Sequence, residues 1–298
     1  MKQHITPPQA RPFSLALYLL IVSGLSWPFM IASAVWGGDN LLVVYTLNCT
    51  AMLMVTVGTF IAGRYVFRDG FAHAGWRWGK PQNYLFVIGL ALLIWIVPTL
   101  LDLLTGSLHV SHSLTTYQVV WVFVLIFVTL IPGFGEEFGW RGYMLPHLAQ
   151  RMTPRRAVLL HAVIWWAWHL PITIKAGIVT GNALAKQGGM SATTAMLVGL
   201  GSILLIGVIG GTLLGVVFAY VWLRGQSLAV SSTFHALYDG FRDSLSVTIG
   251  LGPLGSLLSS LLVIVLGILF LWRGDWHNLK RPDAPLEPAS PQAESVGV

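Results

Sequence analysis

The sequence predicts an all-α fold, a polytopic bundle of about eight transmembrane helices, on three observations. Charged residues make up 9% of the 298 positions and hydrophobic residues 55%. A soluble domain carries about 25% charged residues. A chain this poor in charge cannot coat a globular surface, so the bilayer must be its solvent. Second, apolar runs of span length recur between short connections, and mean hydropathy is +0.73. Third, Lys and Arg fall almost entirely in alternate connections, as they do in multi-pass membrane proteins.

The runs lie near 13–36, 41–62, 84–105, 117–146, 156–175, 196–223, 227–248 and 254–272. Each is long enough, or nearly so, to cross about 30 Å of hydrocarbon at about 1.5 Å per residue. The first contains Ala32-Ser33-Ala34, which resembles a signal-peptidase site. From Phe13 to Ala34 it exceeds the roughly 7–15 apolar residues of a signal peptide, so it reads as a retained span. The seventh is the least apolar, with His235, Asp239, Arg242 and Asp243, and needs shelter from its neighbours.

One set of alternate segments holds thirteen cations: Lys2 and Arg11; Arg64, Arg68, Arg77 and Lys80; Arg151, Arg155 and Arg156; Arg224; and Arg273, Lys280 and Arg281. The other set holds two, Lys175 and Lys186. That asymmetry predicts both termini in the cytoplasm, in an integral multi-pass protein of a bacterial inner membrane. The net charge of +6 sits in these connections, so it marks topology in a lipid bilayer and not a nucleic-acid partner. With Cys49 as its single cysteine, the chain has no disulfide framework. Residues 1–280 read as the membrane domain, with the chemistry within 117–245. Residues 281–298, with four prolines and no apolar run, read as a disordered cytoplasmic tail.

Ionisable groups inside a membrane are costly, about 2.5–3.5 kcal/mol each at a helix centre even on the lower scales. Here they cluster. In Glu136-Glu137-x-x-x-Arg141, Glu137 and Arg141 are one turn apart and about 40° apart around the axis, so they can pair. Glu136 is about 140° from Arg141 and is left to face a cavity. In Trp165-x-x-x-His169 the two rings share a face, and Pro171 disturbs the backbone ladder beside the histidine. In His235-x-x-x-Asp239 the pair again shares a face, with Arg242 three residues on as a partner for Asp239. By depth the three groups converge, and the expected cavity opens to the cytoplasmic leaflet. Gly207, Gly211 and Gly215 form a face for close helix packing. Asn48, Cys49 and Thr50 read as packing residues, and His109 and His112 as solvated loop residues.

These three motifs, in this order on separate helices, resemble the CPBP family: type II CAAX prenyl endopeptidases and bacteriocin-processing enzymes, also called Abi proteins. Trp165 stands where Phe is common, and Asp239 where the prenyl-peptide proteases have Asn. The resemblance implies an intramembrane endopeptidase acting on a membrane-associated peptide or protein. It implies that Glu136 and His169 activate the attacking water and that Glu137 and Arg141 hold their helix in place. It also implies that His235 and the residue at Asp239 bind the developing oxyanion. An ionised Asp cannot donate a hydrogen bond and repels an oxyanion. Asp239 is therefore expected to stay ionised beside Arg242 and to orient His235 through one ring nitrogen, leaving the other to face substrate or metal.

The family is often called a metalloprotease, yet the H-E-x-x-H pair is absent. His169, His235 and a carboxylate such as Glu136 can bind zinc with an open fourth position. A metal-free mechanism needs the same residues, and both stay open. Two other functions compete: a non-catalytic immunity or scaffold protein of the same family, and a transporter or proton relay. No internal repeat supports the transporter.

Overall fold

A computed structural model describes residues 11–38, 40–110 and 115–280, with the backbone alone at Lys280. Lys2, His112 and the tail 281–298 lie outside the described residues. Nine helices are found there: α1 (Leu15–Trp36), α2 (Leu41–Val66), α3 (Pro81–Thr105), α4 (Thr116–Arg151), α5 (Pro154–Trp168), α6 (Leu170–Gln187), α7 (Ala192–Gly225), α8 (Leu228–Thr248) and α9 (Pro253–Arg273). No strand occurs among the described residues. The fold is an all-helical bundle of a multi-pass membrane protein.

Six helices are long and apolar enough to span, and α5 with α6, bent by 58°, makes a broken span or a re-entrant loop. The 21 residues of α8 reach about 31 Å at about 1.5 Å per residue, long enough to cross but too polar to insert alone, so about eight spans fits the helices roughly. The fifth span was expected to be one helix over 156–175. It breaks at His169, because Pro171 follows within the first turn of α6 and lacks the N–H that a continuous ladder needs.

Local chemistry starts the helices where they start. Ser14, Asn40, Ser191 and Ser227 each accept a hydrogen bond from a first-turn N–H, and Thr115 with Gln118 makes a capping box. Asp102 accepts from the N–H of Gly255 at 2.9 Å, placing a carboxylate at the positive end of α9.

The core is the second half of α4, where residues 135–146 are all buried. Small residues let neighbours close on it. A Cβ on Gly139 would lie 2.5 Å from Val55 of α2, and the Tyr18 hydroxyl of α1 donates to the Gly139 carbonyl at 2.8 Å. The glycine face of α7 meets α5 as the pattern predicts: Gly211 abuts Trp166, and Gly215 abuts Ala162.

Contacts fix the two ends of the bundle. Gln118 donates to the carbonyl of Val247 at 3.0 Å, and Tyr45 packs edge-on against Trp121. That end carries the described connecting residues 37–38, 106–110, 188–191 and 249–252, none of which is Lys or Arg. At the other end the N–H of Arg11 donates to the carbonyl of Phe67, and Phe13 stacks on His147. The basic segments lie there.

Candidate active site

Glu137 and Arg141 pair as their spacing predicts, at 2.8 Å, both fully buried. The guanidinium lies 4.5 Å over the ring of Trp165 and 4.6 Å over that of Phe218. Aromatic faces thus cover the donors Nε and Nη2, which have no hydrogen-bond partner.

The same Glu137 oxygen, Oε1, also lies 2.9 Å from Nδ1 of His235. The second ring nitrogen, Nε2, lies 3.3 Å from Asp239. Asp239 pairs with Arg242 at 2.9 Å, and Arg242 with Asp243 at 2.7 Å. This corrects the expectation that one His235 nitrogen faces substrate or metal. Both are turned to carboxylates, because α8 approaches α4 at Gly133, where a Cβ would lie 3.3 Å from that of His235. Ionised carboxylates only accept, so both contacts become hydrogen bonds only when the ring carries two protons.

Trp165 organises the other half of the site with two of its atoms. Its indole Nε1 donates to Glu136 Oε2 at 2.9 Å. Its backbone carbonyl accepts from His169 Nδ1 at 2.8 Å. The break at His169 explains the second bond, since the His169 N–H turns to Trp166 and leaves the Trp165 carbonyl free, as at any helix end. A carbonyl only accepts, so Nδ1 carries the proton and Nε2 of the neutral ring holds a lone pair. Neither that Nε2 nor Glu136 Oε1 has a hydrogen-bond partner among the described residues.

Glu136, Trp165, His169, His235 and Asp239 all line one cavity of about 430 Å³, a size within the usual range for ligand sites. The sequence reading missed two of its walls. Asn48 and Cys49, expected to pack helices, line the cavity from α2. Their signal was a polar pair inside an apolar run, which helix packing explains equally well. His109 is exposed, as expected.

The set Glu136, His169 and His235 does not fit a metal centre. Among the described residues no three His, Cys, Asp or Glu side chains converge to hold an ion, and both nitrogens of His235 already face carboxylates.

A family model described as type II CAAX prenyl endopeptidase Rce1-like matches residues 117–241, the stretch that carries all three motifs. Over these residues the chain is similar to the CAAX-type proteases of the CPBP family. No curated protein matches it. The CPBP match thus spans α4 to the middle of α8. The cavity also takes walls from α1 and α2, which lie outside the match.

Proposed function

We propose that this protein is an intramembrane endopeptidase that hydrolyses a peptide bond in a membrane-associated substrate. One observation carries the reading: Trp165 holds Glu136 and His169 on the cavity wall, each with one polar atom engaged and one left over. In this mechanism a water between Glu136 Oε1 and His169 Nε2 loses a proton to that pair as its oxygen attacks the scissile carbonyl. The carbonyl carbon becomes tetrahedral. The proton then passes to the leaving amine, and the C–N bond breaks. Glu137, Arg141 and His235 form a separate, charge-compensated cluster that holds α4 and α8 together.

A non-catalytic scaffold has no need of a free carboxylate and imidazole side by side. The test is incubation of the purified protein, in detergent, with a panel of membrane peptides, with the products read by mass spectrometry. Internal cleavage at a defined bond, lost in His169→Ala, is expected. Uncleaved peptides throughout, or equal cleavage by the variant, would overturn the reading.

A further inference from the structure

Among the described residues the cavity reaches Glu136 from one end of the bundle, the end whose connections lack Lys and Arg. Its walls are residues 41–52 of α2 and 235–247 of α8. In α2 these belong to the half beginning at connection 37–40, and in α8 to the half ending at 249–252. At about 1.5 Å per residue, 235–247 spans about 18 Å, so the cavity runs from mid-bundle to that end. Leu41, Ser246 and Val247 form its far wall. In the other direction the route is blocked. Residues 138–146 are buried without interruption, and Trp140, Met144 and Leu145 have no exposed surface. Arg141, fully buried and paired to Glu137, sits in that block.

The blocked end carries Arg64, Arg68, Arg77, Lys80, Arg151, Arg155, Arg156, Arg224 and Arg273. Basic ends of membrane proteins stay in the cytoplasm. Resting on the endopeptidase reading, we infer that the active-site cavity opens to the extracytoplasmic side. Its substrate is then a peptide segment presented from that side: an exported peptide, or the outer part of another membrane protein. A prenylated C-terminus anchored in the cytoplasmic leaflet meets the closed end.

The chain carries its own reporter. Cys49, its single cysteine, is partly exposed and lines the cavity. The experiment is labelling with a membrane-impermeant maleimide in intact cells and in inverted vesicles. Two controls in a Cys49→Ala background mark the ends: Ser246→Cys at the cavity mouth and Gln150→Cys at the basic end, both exposed positions. Cys49 and Ser246→Cys should label in cells and not in inverted vesicles, and Gln150→Cys should do the reverse. Labelling of Cys49 from the same side as Gln150→Cys would overturn the direction of the cavity. So would a Cys49 that no maleimide reaches, permeant or not, while Ser246→Cys reacts. If the two controls exchange sides, the extracytoplasmic assignment fails. None of these outcomes depends on cleavage, so the sidedness can fail while the endopeptidase reading stands, and the reverse.

Discussion

Trp165 ties the site together through two different kinds of atom. Its indole N–H holds Glu136 and its carbonyl holds His169. Phe at this position keeps a ring beneath Arg141 but supplies no donor. A hydrogen bond to a charged group contributes about 1.5–3 kcal/mol, and about 1.4 kcal/mol is tenfold in rate. Trp165→Phe should therefore lower kcat by about 10- to 100-fold and leave KM and melting temperature nearly unchanged. Steady-state cleavage of one peptide checks it, and a variant as fast as the parent removes Trp165 from the mechanism. Arg141 behaves in the opposite way. Arg141→Ala leaves Glu137 buried beside His235 without its guanidinium, at about 3–5 kcal/mol. A clear drop in melting temperature in detergent is expected, and none if the pair holds nothing. That pair was legible, because about 100° per residue puts Glu137 beside Arg141 and turns Glu136 away. The bond from Glu137 to His235 was not. Periodicity fixes neighbours within a helix and is silent on which residues of two helices meet. The Trp165 carbonyl was hidden for another reason: every residue has one.

At the scale of the helix, the break between α5 and α6 and the glycine face of α7 decide how close the site's walls stand. Pro171 made the break legible, although the sequence alone suggested a disturbed helix and not a 58° bend. Two adjacent glycines separate packing from mere helix content. A Cβ on Gly211 would lie 2.3 Å from Trp166, whereas one on Gly210 meets nothing within 4 Å. Gly211→Ala should destabilise by about 1–3 kcal/mol, because Trp166 and α7 have to separate. Gly210→Ala should be neutral or slightly stabilising, since it removes only backbone freedom. Thermal melts of the two variants compare them directly, and equal effects would mean that α7 does not pack on α5 through this face.

For the whole molecule, composition and apolar runs made the all-helical bundle legible, and about eight spans agrees roughly with the six or seven helices and helix pairs apolar enough to cross. The polar α8 was legible as the least apolar span, and its cavity-facing acids explain why it needs its neighbours. The inferred direction of the cavity differs from the cytoplasmic opening that the sequence suggested. Depth along the helices placed the motifs together, but the sequence does not reveal that Trp140, Met144 and Leu145 fill the basic end. Asn48 and Cys49 were missed because a wall of the site comes from a helix with no recognisable motif. The charge asymmetry predicts that a reporter active only in the cytoplasm works when fused after residue 80 and fails after residue 110. The reverse pattern would invert the whole topology. In the proposed mechanism Glu136 performs chemistry while Glu137 performs support, and substitution of Glu136 separates the two roles. Glu136→Gln can still accept the Trp165 hydrogen bond through its amide oxygen, but has lost the carboxylate that takes a proton. Cleavage of a membrane peptide by this variant should fall to background while its melting temperature stays near that of the parent. Cleavage at the parent's rate would remove Glu136 from the chemistry.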